Sequence, residues 1–185
     1  MEVMKDFLRK LAKSKAFWIA LVIIIQSVVY IIAGMGKNYI HMDEAYSYGL
    51  ANYPRTEILE NEDFMNHWHD AEYYENYLVV NEDEQGDFAV VYNNQRDDVH
   101  PPLFYLLLRL GMELTPGEFT KWTGIILNII VFAVEAVFLY LIVEKLLGDE
   151  KNRLVEAFVL TLAASVTIAA INTVIYIRMY ALLTM

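Results

Sequence analysis

The sequence predicts an all-α membrane protein with three transmembrane helices and a folded outer-face segment carrying juxtamembrane helices. Three observations point there. Residues 16–36 form a 21-residue apolar run broken only by Gln26. At about 1.5 Å per residue, such a helix crosses the roughly 30 Å hydrocarbon layer. Composition agrees: 57% of residues are apolar, mean hydropathy is +0.32, and four prolines with eight glycines are too few for a flexible tract. Charge is also segregated. Residues 37–100 hold 15 Asp and Glu against three Lys and Arg, so of the net charge of −10 this segment carries −12 and the rest +2.

Taken in order, residues 1–15 carry five Lys or Arg and two acids directly before the first apolar run. Short flanks rich in Lys and Arg stay cytoplasmic, so the first helix runs from inside to outside. Ala33, Gly34 and Gly36 offer small residues for a signal-peptide cleavage site. A signal peptide's apolar core spans about 7–15 residues, though, and this longer run reads as a permanent anchor. Residues 118–143 form the second crossing despite Lys121 and Glu135, and residues 157–177 are uncharged over 21 positions and form the third. Lys145, Lys151 and Arg153 between them mark residues 144–156 as a cytoplasmic loop. The expected organisation is therefore a cytoplasmic 1–15, a helix at 16–36, an extracytoplasmic segment at 37–117, a helix at 118–143, the loop at 144–156, and a third helix within 157–185. Arg178 then lies outside.

Residues 101–114 hold Arg109 and Glu113 within an apolar pattern. Were they to cross, the basic loop would become external. They read instead as a helix lying on the outer surface, with Leu103, Leu106, Leu107 and Leu110 on one face and Pro101 and Pro102 in its first turn. The 64-residue stretch 37–100 contains all four histidines and eleven aromatics, too much for a simple connector. A short helix is expected at 42–50, another helical turn after Pro54 at 55–62, and two short strands at 77–80 and 88–92 around the turn at 81–86.

The acidic segment repels phosphate backbones, which excludes nucleic acid as a partner. Zero cysteines exclude disulfides and thiolate metal sites and leave the compartment open. Asp43 and Glu44 stand just beyond the first span, in water beside lipid. Successive side chains on a helix point about 100° apart, so the two cannot face one reacting atom. One of them has another job, such as orienting an acceptor, binding a cation or capping a turn.

Three stretches carry a resemblance: Asp43-Glu44-Ala45-Tyr46-Ser47, then His100-Pro101-Pro102-Leu103-Phe104-Tyr105, then Arg178-Met179-Tyr180-Ala181-Leu182. In this order they resemble the multi-pass C-class glycosyltransferases (GT-C). Within that class they are similar to the protein O-mannosyltransferase group and its bacterial relatives, including the aminoarabinose transferase acting on lipid A. The resemblance implies a multi-pass enzyme of a bacterial cell membrane with its active site outside. It would move a sugar from a polyprenyl-phosphate donor to an acceptor, inverting the anomeric centre. The acceptor could be a protein, a glycolipid or an envelope polymer. Relatives have about a dozen crossings, so these residues correspond to the N-terminal portion of the larger GT-C fold, and alone they would be inactive. The family's catalytic acid falls on Asp43, with Glu44 beside it.

Residue chemistry runs alongside. An acceptor hydroxyl needs a carboxylate to take its proton, the role assigned to Asp43. The departing lipid phosphate needs positive partners. Arg178 at an outer helix end can hold phosphate through two hydrogen bonds, although an arginine there also suits snorkelling to headgroups. His100 can donate to phosphate, help bind a divalent cation, or cap its own turn. Asp43, Glu44 and His100 are the candidates for a metal, whose requirement stays open. Lys37 and Arg96 are weaker phosphate candidates that suit a solvated surface. His67, His69 and Asp70 suggest zinc, but i and i+2 positions on a helix diverge. Tyr46, Tyr48, Tyr53, Tyr73, Tyr74 and Tyr77 fit sugar stacking or an interfacial belt. Glu135 in a crossing needs a partner from another helix. The run Glu82, Asp83, Glu84 and Asp87 reads as a solvated turn. A competing class is a membrane-anchored module whose acidic outer segment binds or senses a cation, which leaves Arg178 and the His100-Pro101-Pro102 stretch unexplained.

Overall fold

The computed structural model describes residues 6, 10–52, 67, 68, 70–96 and 100–184, the side chain of Tyr73 excepted. The expected helical turn at 55–62, the zinc candidate His69, and Tyr53 lie outside the described residues. Among the described residues the fold is all-helical, with no strand.

Helix α1, Lys15–Met35, buries Val22, Gln26, Tyr30 and Gly34, one residue every four, and so presents a single stripe to the bundle. Its remaining surface is apolar and exposed, including Ile24, Ile32 and Met35. A helix apolar all round with only one packed stripe suits a lipid environment. Gln26 points inward, where its Nε2 donates to the Phe132 carbonyl at 3.1 Å. These two residues tie α1 to the second long helix.

Four shorter helices form the outer layer: α2 (Met42–Asn52), α3 (Ala71–Leu78), α4 (Ala89–Arg96) and α5 (Pro102–Met112), with a 3₁₀ turn at Glu82–Glu84. The two expected strands are absent; residues 77–80 instead close α3 and residues 88–92 open α4. Local hydrogen bonding explains this. Asp87 Oδ1 accepts the Ala89 N–H at 3.0 Å, the kind of contact that starts a helix, and α4 buries Val91, Asn94 and Gln95 at helical spacing. In the acidic run, Glu84 Oε2 takes the Asn81 N–H at 2.9 Å, so part of that turn is held by its own carboxylate.

Of the four leucines expected on one face of α5, Leu103 and Leu110 are exposed and Leu106 and Leu107 half-buried, while Phe104, Tyr105, Leu108, Arg109 and Met112 are buried. Arg109 therefore belongs to the packed face rather than the solvated one. Gly49 permits α2 to lie against α3, since a Cβ there would sit 1.8 Å from the Tyr77 ring. Tyr48, Ala51, Val80, Val91, Phe104, Tyr105 and Leu108 then share one core with Ile125 and Ile177. The outer layer and the bundle are thus packed as one body.

Helix α6, Lys121–Leu146, starts from Thr120, whose hydroxyl accepts the Trp122 N–H at 3.2 Å. Helices α1 and α6 are long and apolar enough to cross a membrane. Where one continuous third helix was expected over 157–177, the chain forms α7 (Arg153–Ser165) and α8 (Ile168–Ile175), bent by 58°. Ser165 Oγ donates back to the Thr161 carbonyl at 2.9 Å, a contact that bends helices. Thr167 adopts an extended conformation and accepts the Ala170 N–H on its hydroxyl at 3.2 Å, starting the new helix. The Ser165 carbonyl freed by the break accepts the Tyr30 hydroxyl at 2.6 Å, so the apolar interior holds no stranded carbonyl there. A final short helix, α9, spans Tyr180–Leu183. Beyond it, the Thr184 hydroxyl donates to Glu135 at 3.3 Å and supplies that intrahelical carboxylate with a partner.

The bundle has two chemically different ends. At one, Glu144 pairs with Lys15 at 2.8 Å and Arg153 at 2.9 Å. The other carries Asp43, Glu44 and Arg178.

Candidate active site

Asp43 lies in the first turn of α2 with its side chain 45% exposed. Its Oδ2 accepts the Tyr176 hydroxyl at 2.8 Å and lies 3.6 Å from His41 Nδ1. Its backbone carbonyl accepts Arg178 Nη1 at 3.0 Å and the Ser47 hydroxyl at 3.1 Å.

Glu44 points elsewhere. Its side chain is wholly buried, and Oε2 accepts Lys37 Nζ at 2.8 Å and the His41 N–H at 2.8 Å. Its Oε1 accepts the Ile177 N–H at 2.8 Å. The 100° step along the helix thus separates the pair: Asp43 meets water and Glu44 pins the chain just before Arg178 onto α2. Lys37, expected on a solvated surface, is buried because it neutralises Glu44.

Arg178 is only 7% exposed. Besides the Asp43 carbonyl, its Nη2 lies 3.4 Å from His100 Nε2, and its Nε has no hydrogen-bond partner. Among the described residues no carboxylate forms an ion pair with it. A buried guanidinium normally has its charge and all its donors taken up. His100 approaches from the start of α5, its ring against Tyr105 at 6.5 Å between centroids.

The structure brings together Asp43, His100 and Arg178 from positions far apart in sequence. It does not add Glu44 to them, so Asp43, Glu44 and His100 do not gather as metal ligands. Among the described residues no three His, Asp or Glu side chains form a group able to hold a metal ion. His67, Trp68 and Asp70 are exposed.

Two members were missed in the sequence: His41 and Tyr176. A signal existed for the second. Tyr176 has extended backbone geometry, and i and i+2 residues of an extended segment share a side, so Tyr176 and Arg178 both reach Asp43. Asn128 holds the segment in place by donating to the carbonyls of Val174 at 2.9 Å and Tyr176 at 3.2 Å, which caps the end of α8. Burial first, and then the hydrogen bond to Asp43, push the Tyr176 hydroxyl up to about 12, so it stays a neutral donor to the carboxylate. The Tyr180 ring lies parallel to that of Tyr176, 6.2 Å away, and is exposed.

The arrangement is a half-exposed carboxylate and a buried guanidinium, sharing one backbone carbonyl on the rim of an apolar helical bundle. No family profile, curated protein sequence or solved structure matches this chain.

Proposed function

We propose that the chain is part of an integral-membrane glycosyltransferase of the C-class type. It transfers a sugar from a polyprenyl-phosphate donor to an acceptor at the outer face of a bacterial cell membrane, with inversion. In this reading the bent pair α7–α8 is a third crossing, and the Lys15, Glu144 and Arg153 end is cytoplasmic, in keeping with the bias of basic residues. Asp43 is the general base: the acceptor hydroxyl gives it a proton while the acceptor oxygen bonds to the anomeric carbon. The phosphate leaves with the electron pair of the broken bond and is held by Arg178, with His100 beside it.

The observation that carries the reading is Arg178. Its charge is buried, its Nε is unpartnered, and among the described residues no carboxylate offsets it, all within reach of a half-exposed carboxylate. An anion supplied by a ligand fits that vacancy of charge. A phosphate on a lipid tail reaches it from the apolar flank of the bundle. A cation-binding module would need acids drawn together, whereas among the described residues Glu44 is spent on Lys37 and no trio of ligands forms.

The test is sugar transfer from a polyprenyl-phosphate donor by the protein expressed from its complete reading frame. Asp43→Asn should abolish transfer while expression and membrane insertion persist. Retained turnover would remove Asp43 as the base.

A further inference from the structure

The carboxylate of Asp43 does not stand alone. Tyr176 donates to its Oδ2 at 2.8 Å, and the same hydroxyl oxygen lies 3.3 Å from His41 Nδ1. His41 Nδ1 also accepts the Asp43 backbone N–H at 3.2 Å, which marks it as the unprotonated nitrogen of the neutral ring. The His41 and Tyr176 rings pack at 5.7 Å, and the His41 side chain is 54% exposed. A carboxylate, a hydroxyl and an imidazole are therefore connected in a row that starts at the site and ends in water.

We propose that His41 and Tyr176 complete a proton-handling triad with Asp43, Tyr176 fixing the carboxylate and His41 carrying its proton away. The proposal rests on the transferase reading for its source of protons. With Asp43 ionised, Tyr176 donates to it and His41 Nδ1 is an acceptor. Once Asp43 has taken the acceptor's proton on Oδ2, the row reverses: the carboxyl O–H donates to the Tyr176 oxygen, and the Tyr176 O–H donates to His41 Nδ1. Moving both protons one step along restores the carboxylate and the neutral tyrosine and leaves His41 protonated, with no tyrosinate formed. The proton so delivered reaches the half-exposed imidazole of His41. The exposed imidazolium then loses a proton to water. Arg178 on the Asp43 carbonyl, and Glu44 on the His41 N–H with its partner Lys37, are the other charged groups around the row. Tyr176 and His41 act through Asp43 and are positioning residues in this scheme.

The experiment uses the complete protein in nanodiscs with isotopically labelled histidine and aspartate, read by NMR across pH. Neutral His41 should carry its proton on Nε2, and Asp43→Asn should lower its titration midpoint, the direction expected when a neighbouring negative charge is removed. Tyr176→Phe should raise the midpoint of the Asp43 carboxyl, because a donor to the charged form is lost. A neutral His41 protonated on Nδ1, or midpoints unmoved by both substitutions, would overturn the triad. Binding of sugar-free polyprenyl phosphate, compared between wild type and Arg178→Ala, separates the two ideas. Intact Arg178-dependent binding with uncoupled midpoints sinks the triad alone, while coupled midpoints without such binding sink the transferase reading alone.

Discussion

Among the described residues two arginines are buried, and they are treated in opposite ways. Arg109 is 0% exposed and bonded through all three nitrogens: Nε pairs with Glu113 at 3.0 Å, Nη1 donates to Asn52 at 2.5 Å, and Nη2 donates to the Glu84 carbonyl at 2.5 Å. These partners come from α5 itself, α2 and the 3₁₀ turn, so one side chain ties the outer layer together. Arg178 is nearly as buried but is left with a carbonyl, a histidine ring at 3.4 Å and an unused Nε. The fold engages every nitrogen of Arg109 and leaves Nε of Arg178 over. Burial is nearly the same for both, and the unpartnered Nε is what distinguishes Arg178.

The largest effect should come from Arg109→Ala, which strands Glu113 and Asn52 and removes a buried pair, at a cost of about 3–5 kcal/mol. Thermal unfolding followed by circular dichroism in detergent would read it. Arg178→Ala should instead weaken polyprenyl phosphate binding by roughly ten- to a hundredfold, the worth of charge-assisted hydrogen bonds of about 1.5–3 kcal/mol, with a far smaller shift in melting. Equal losses of stability in the two variants would erase the contrast. Gly124→Ala sharpens it, because the new Cβ would sit 2.1 Å from Ile177 Cγ2, in the residue before Arg178. Overpacking of this kind costs about 1–3 kcal/mol and should lower phosphate binding as well, measured by the same two assays.

The smallest effect is in pH. Tyr176 is raised from 10.0 to about 12, so the folded state holds its proton more tightly than the unfolded one. That contribution is complete below pH 10 and is lost as pH rises toward 12. Ultraviolet absorbance of tyrosinate should show a late-titrating component that shrinks by one tyrosine in Tyr176→Phe.

Much of the membrane scaffold was legible in the sequence, since a long apolar run has few alternatives: residues 16–36 and 118–143 correspond to α1 and α6. The break between α7 and α8 was not, because it contains neither Gly nor Pro and arises from Ser165 and Thr167 hydroxyls together with Tyr30 on another helix. In the site, the meeting of Asp43, His100 and Arg178 followed from the order of three motifs, and the divergence of Asp43 from Glu44 followed from helical geometry. What Glu44 meets did not, because the Ile177 N–H lies 133 positions away and local pattern carries no information on it. Arg109 looked like a misplaced charge in an apolar helix for the same reason: its partners Asn52 and Glu84 are brought in by the tertiary fold. The hairpin expectation failed because β-branched and aromatic residues around an acidic turn suit a strand, while Asp87 supplied a helix start that outweighed them.

The bond between Glu44 and the Ile177 amide has a mechanical consequence. It rivets the turn bearing Arg178 to the helix bearing Asp43, and those two groups travel as one piece. Separating the two would mean breaking that bond, and the next interruption of the helix back along the chain is the bend at Ser165 to Thr167.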